Sequence, residues 1–265
     1  MIRPGAAPGK AGRPTPLIAR TCRVMGTVVS FAVAPGDAPE AVVHDRLDAA
    51  CAVLGQADAT FSVWDPGSPV SRLRRNEIAL SAAPPEVADV LQLCDKARIL
   101  SRGWFDPWAM PGGVDPTGLV KGWAVERALD VLRLEGVTGA LVNGGGDLAA
   151  FGCPAAGRAW RIGIRHPWRH DALACVIRIQ AAVATSGTYE RGPHLVDPFT
   201  GRTGNRAASA TVTGPSLTLA DALATAVAAG GDDAMAAVAA LDGYAGYLIR
   251  PDGSEADTGG IQFVS

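Results

Sequence analysis

Strand-like and helix-like segments do not alternate along this chain; helices come in pairs between runs of strands. A doubly wound parallel sheet needs a helix between successive strands, so this order predicts an α+β fold, with helices packed on a mainly antiparallel sheet. Residues 23–34 (RVMGTVVSFAVA) alternate and are β-branched, which predicts a first strand interrupted at Gly26. Residues 40–60 have apolar side chains at helical spacing, and a second helix is predicted over 85–101 with Pro85 at its start. The stretch before it, with DPGSP, reads as a loop. A turn-dense stretch, 103–118, leads into a helix predicted over 119–136 and ended by Gly136. Residues 139–152 read as a strand, a glycine turn and a second strand, and 158–167 and 173–186 as further strands. The segment 210–216 leads from a strand into an amphipathic helix, 216–231, with Ser216 or Thr218 as possible caps. A short helix (234–243) and a strand pair (243–254) follow. Residues 1–20, rich in Gly, Pro and Arg, read as a mobile arm, and 21–265 as a single domain.

Composition narrows the function classes. With 265 residues, 48% of them hydrophobic, the chain can bury a sizeable core. A formal net charge of -2 argues against a general nucleic-acid binder, which usually carries a basic face. The cations are nearly all arginine; Lys10, Lys96 and Lys121 are the lysines, so a lysine inside a motif is informative. Five cysteines are scattered, with no CxxC pair, which favours a reducing compartment. The beginning of the chain has no apolar signal-like stretch, and no long uncharged apolar run occurs anywhere. A cytoplasmic protein without a membrane anchor is therefore expected. The 32 glycines and 19 prolines have no period, so they imply tight turns and close backbone approach.

Some segments put small or polar residues where a plain core would not. Asn143-Gly-Gly-Gly-Asp147 follows an apolar strand; its glycines allow backbone amides to approach an anion, although a plain β-turn has the same composition. Gly118-Leu-Val-Lys121-Gly122 lies at a helix start, where a phosphate and a lysine would meet favourably. Asp221 and Thr225 stand one helical turn apart among Ala and Leu. Oxygen ligands at that spacing suit a hard cation such as Mg²⁺. His194, with Asp197 three residues on, is a candidate neutral-pH base. Met25-Gly26-Thr27, Trp64 and Trp104-Phe105-Asp106 offer thioether and aromatic groups to a flat heterocycle, with core packing as the plain alternative.

Taken in order, these pieces resemble the ApbE family, the FAD:protein FMN transferases. The resemblance is carried by Met25-Gly26-Thr27, Trp64 to Ser71, Phe105-Asp106-Pro107, and Asp115 to Lys121-Gly122. It continues in Asn143 to Asp147, Thr185-Ser-Gly187 to Asp197-Pro-Phe-Thr-Gly201, and Ala220 to Ala226. It implies an α+β, T-fold-like architecture with FAD in a cleft and Mg²⁺ on its pyrophosphate. By position, Asp221, Thr225 and a backbone carbonyl at Gly118 match the metal ligands. Met25, Trp64, Trp104, Phe105, Asp106, Lys121 and Leu195 match FAD contacts, and His194 matches the catalytic base. The implied reaction attaches FMN to a threonine or serine of an acceptor protein and releases AMP. An FAD pyrophosphatase and a non-catalytic FAD-binding protein are the alternatives, and retention of Asp221, Thr225 and His194 favours an enzyme. The chain departs from the family in having Trp at 64 and 123 where Tyr is usual, and in its shorter length.

Overall fold

The structure is a computed structural model that describes residues 16–169, 171–187, 195–204 and 206–264. It opens with a hairpin, β1 (Ile18–Val24) and β2 (Thr27–Ala34), followed by helices α1 (Glu40–Phe61), α2 (Pro69–Arg74), α3 (Pro85–Leu100) and α4 (Thr117–Val131). Five strands come next: β3 (Gly139–Gly144), β4 (Leu148–Gly152), β5 (Trp160–Arg165), β6 (Leu173–Ile179) and β7 (Ala182–Gly187). Strand β8 (Ser209–Gly214) then leads into α5 (Leu217–Gly230) and α6 (Asp232–Val238). The chain ends in β9 (Ala245–Ile249), β10 (Glu255–Asp257) and β11 (Gln262–Phe263). Eight strands form one sheet in the order β1-β2-β3-β4-β7-β8-β9-β10, and β11-β6-β5 form a smaller one. Every pairing is antiparallel. The α+β expectation therefore holds.

Alternation along the strands explains the layers. In β2, Val29, Phe31 and Val33 point to the helices and join a core with Val43, Leu47 and Leu54 of α1. In β4 and β9, Leu148, Ala150, Tyr247 and Ile249 point the other way, against Trp160, Ile164 and Ile177 of the small sheet. The large sheet is thus buried on both faces between the helices and the second sheet. Helix α1 buries Val43, Leu47, Ala50, Leu54, Ala57 and Phe61, the three-and-four spacing of one helical face.

Local differences from the sequence reading have local causes. The predicted first strand is two: Met25 (φ 54) and Gly26 (φ 68) form a hairpin turn, and β1 begins at Ile18, inside the stretch read as an arm. Helix α2 lies in what read as a loop; Ser68 accepts the Ser71 N–H at 3.0 Å, and Pro69 opens the helix. Helix α4 ends at Val131 rather than Gly136, because Gly136 (φ 89) serves a turn against the α1 approach, accepting the Asp37 N–H at 3.1 Å.

The cysteines are free thiols. Burial pushes Cys94 up to about 12, and burial with the neighbouring Cys51 thiol raises Cys22 to about 11. Cys175 rises to about 11 through burial and the nearby Glu255 carboxylate. At pH 8 their thiolate fractions are then about 10⁻³ or less. In the native protein a disulfide reagent is expected to modify exposed Cys153 quickly and Cys22, Cys94 and Cys175 only on unfolding. Loss of the fast phase in Cys153→Ser checks this, and rapid native modification of Cys94 would contradict it.

Candidate functional site

Helix α5 is buried along its whole length except at one residue, Thr225. Its sequence, LTLADALATAVAAG, is mostly Ala and Leu, which lets a helix pack closely on every side. One turn before the opening, Asp221 is 4% exposed. A carboxylate so buried needs partners that replace water. One is the backbone N–H of Gly122, which donates to Oδ2 at 2.8 Å.

Helix α4 supplies that partner because its glycines allow close approach. A Cβ on Gly122 would lie 2.6 Å from the Leu217 carbonyl oxygen and 2.8 Å from Asp221 Cβ, so no larger residue fits without the helices parting. One turn earlier, a Cβ on Gly118 would lie 3.6 Å from Thr225 Oγ1. Successive turns of α4 thus meet successive turns of α5 in reverse order, and the helices run antiparallel. In a regular helix the Gly122 N–H bonds to the Gly118 carbonyl. The same N–H donates to Asp221, and a carbonyl oxygen has a second lone pair for a further partner. Asp115 holds the start of α4: Oδ1 accepts the Thr117 N–H at 3.0 Å, and Oδ2 pairs with Arg74 at 3.2 Å.

The glycine turn between β3 and β4 joins this site through a charge pair. Asp147 is 1% exposed, and Lys121 of α4 forms an ion pair with its Oδ2. Its Oδ1 accepts the Thr185 N–H of β7 at 3.1 Å. That tie holds β7 where Ser186 Oγ comes within 3.5 Å of Thr225 Oγ1. Gly146 (φ 104) has open space where a Cβ would stand, so another group can come against its backbone. Asn143 Oδ1 fixes the turn by accepting the Gly146 N–H at 2.9 Å. Lys121→Ala leaves a buried carboxylate without its cation, and is expected to destabilise the fold by about 3–5 kcal/mol. Adding Asp147→Asn should return much of that loss in chemical denaturation, whereas purely additive losses would contradict the coupling.

The other predicted residues stand around this centre. Phe105 is buried, with its ring 3.1 Å from the missing Cβ of Gly118, and Asp106 caps its own turn by accepting the Trp108 N–H at 2.9 Å. Trp104 packs on Gly230 of α5, with Phe199 edge-on at 4.7 Å and the Arg206 guanidinium 4.7 Å over its ring. Leu195 packs against the main core. Met25 lies in the hairpin turn, its N–H donating to Asp58 at 3.0 Å, beside a surface cavity of about 660 Å³. That turn adjoins the glycine turn: a Cβ on Gly145 would lie 2.6 Å from Thr27 Oγ1. Trp64, by contrast, is 91% exposed between α1 and α2 and is not drawn into the cluster. His194 falls in 188–194, outside the described residues. Burial raises the Asp197 pKa, but N–H donors at Phe199 and Thr200, with Arg206, outweigh it and hold the carboxyl below its usual range.

One organising residue escaped the sequence reading. Neither Ser216 nor Thr218 caps α5 through its own side chain; Glu126 of α4 does so from outside. Its Oε2 accepts from Ser216 Oγ at 3.0 Å, from the Thr218 N–H at 3.1 Å and from the Thr218 hydroxyl. The available signal was its spacing, one turn beyond Gly122 on the same face.

The sequence profile of the ApbE family matches residues 25–112 and 110–248. The chain belongs to the ApbE family. The match takes in the hairpin turn, α4, the glycine turn and α5. An FAD:protein FMN transferase of Vibrio cholerae is 34% identical over 137 residues, covering 48% of this chain and 41% of that protein. One from Rhodobacter capsulatus is 26% identical, covering 91% of this chain and 57% of that protein. The chain thus spans about half the length of these curated relatives. The crystal structure of the ApbE protein of Thermotoga maritima superposes with a TM-score of 0.78 at 22% identity, covering 91% of this chain and 96% of that one, and so shares the fold. Of the two tryptophans expected to depart from the family pattern, Trp64 is exposed. Trp123 packs edge-on to Phe61 at 5.4 Å with Arg127 4.8 Å over its ring. Among the described residues no helix is long and apolar enough to cross a membrane.

Proposed function

We propose that this chain is a Mg²⁺-dependent FAD:protein FMN transferase, moving FMN from FAD to a threonine or serine hydroxyl of an acceptor protein with release of AMP. The observation that carries the reading is the single opening in α5, at Thr225, beside buried Asp221 and opposite Gly118. A carboxylate, a hydroxyl and a backbone carbonyl are hard oxygen donors, and as few as three leave room for phosphate oxygens and water, which suits Mg²⁺. Bound there, the cation would neutralise pyrophosphate charge during transfer.

The chain's own residues position and exchange protons. The α4–α5 contact holds the three donors, and the Lys121–Asp147 pair fixes the glycine turn, where a substrate group can approach Gly146. Met25, Trp64, Trp104, Phe105, Asp106, Lys121 and Leu195 are the proposed FAD contacts. The acceptor oxygen bonds to the FMN-side phosphorus as the phosphorus–oxygen bond to AMP breaks, and His194 takes the hydroxyl proton. Residues 21–265 act as one domain in this reading, and the acceptor is cytoplasmic, as the scattered free thiols favour.

Incubation of the full chain with FAD, Mg²⁺ and an acceptor protein carrying a D-x-x-[ST]-x-T motif tests the reading by intact mass. An FMN-sized increment on the acceptor, lost on chelation of the metal, is the expected result. FMN and AMP released without an adduct, or flavin binding with no turnover, would overturn it.

A further inference from the structure

The facing turns of α4 and α5 form three steps: Gly118 meets Thr225, Gly122 meets Asp221 and Leu217, and Glu126 meets Ser216 and Thr218. The first two steps contain the donors assigned above to the metal. They have no side chain of their own on α4: they set how closely the helices approach, and the bond from the Gly122 N–H to Asp221 ties them lengthwise. The third step is different in kind. A carboxylate from α4 receives the Thr218 N–H, the second of α5, together with two hydroxyls, and these three directional bonds to one oxygen lock the axial register. Helix α5 has no side-chain cap of its own from Ser216, so the bond from Glu126 is also its start signal.

We propose that Glu126 is a positioning residue for the metal site: by capping α5 from α4 it fixes the register in which Gly118 faces Thr225 and Gly122 faces Asp221. The inference rests on the reading of Gly118, Asp221 and Thr225 as the metal donors. Glu126 is two turns from Gly118 along α4 and touches neither metal nor substrate in this account; its effect travels through the helix pair. A slip of a fraction of a turn would move Asp221 off the Gly122 N–H and Thr225 off its place opposite Gly118 together.

The test measures metal binding directly, by Mn²⁺ titration followed by electron paramagnetic resonance, alongside metal-free thermal unfolding of the full chain. Glu126→Ala is expected to weaken Mn²⁺ binding at least ten-fold. Glu126→Gln, which keeps a carbonyl acceptor for the Thr218 N–H, should lie within about three-fold of wild type. Ile177→Ala, in the second core, serves as a variant destabilised away from the site and should bind Mn²⁺ as wild type does. Should Glu126→Ala fail to fold, Thr218→Val removes the hydroxyl bond alone and is expected to weaken Mn²⁺ binding by about two- to five-fold, against no change if Glu126 is merely structural. A lowered unfolding midpoint in Glu126→Ala with unchanged Mn²⁺ affinity would overturn the proposal. Wild-type protein that binds no Mn²⁺ would instead overturn the metal reading beneath it, so the two failures are told apart.

Discussion

Asp221→Asn is expected to cut FMN transfer by orders of magnitude while leaving the fold intact. Asparagine has the shape of aspartate and keeps a carbonyl oxygen to accept the Gly122 N–H, the 2.8 Å bond that ties α5 to α4. What it loses is the charge. In a helix buried on every side except at Thr225, that charge does not serve solubility, and keeping it ionised there costs desolvation. With the shape and the Gly122 bond kept, the metal-free variant should still unfold cooperatively, its stability lowered by no more than about 1–3 kcal/mol. Transfer should fall by roughly 10²–10³-fold, the size of effect seen when one preorganised electrostatic contact to a reacting group is removed. The two measurements together are informative. A variant that folds as wild type and transfers FMN as wild type would remove Asp221 from the mechanism.

The two glycines of α4 should separate stability from function. Gly122→Ala places a methyl group 2.6 Å from a backbone oxygen of α5, which cannot rotate away, so the helices must part. Overpacking of this kind costs roughly 1–3 kcal/mol. For a chain of this size that lowers the unfolding midpoint by roughly 2–4 °C per kcal/mol. Gly118→Ala meets the Phe105 ring most closely, at 3.1 Å, an edge that can tilt, with Thr225 in ordinary contact at 3.6 Å, and alanine is a better helix former than glycine. Its fold should be as stable as wild type or slightly more so. Its methyl group, however, would stand over the Thr225 hydroxyl, and a displacement there on the order of 1 Å can reduce turnover by about 10²-fold. Differential scanning calorimetry and the mass assay, run on both variants, check the pair. Equal stability losses in the two variants would contradict this account of the α4–α5 contact.

Much of the architecture was legible because periodicity is written into single segments. The spacing of Val43, Leu47 and Leu54 and the alternation of Val29, Phe31 and Val33 each report one buried face, and paired helices between strand runs gave the antiparallel sheet. Segments whose structure depends on a turn were harder. Met25 adopts a positive φ, which a bulky residue rarely does, so the hairpin hid inside what read as one interrupted strand. Helix α2 is only six residues long and was masked by its own capping Ser-Pro, the same residues that mark a loop.

The site was legible where chemistry conflicted with surroundings. Asp221 among alanines and leucines is such a conflict, and so is Lys121 in a chain nearly without lysine. The Lys121 partner was not readable, because Asp147 comes from a turn on another strand and their meeting depends on the tertiary fold. Glu126 was missed for a related reason. On α4 alone it looks like a charged helix residue facing water, and only the position of α5 turns it into a cap for a different helix.

The proposed divalent cation sits at Thr225, where α5 opens beside Asp221 and opposite Gly118. The most direct test of that placement is a crystal grown with FAD and Mn²⁺, with the metal located by anomalous scattering. A peak within about 2.5 Å of Asp221, the Thr225 hydroxyl and the Gly118 carbonyl is the result expected. A metal bound to FAD elsewhere, away from Asp221 and Thr225, would contradict it.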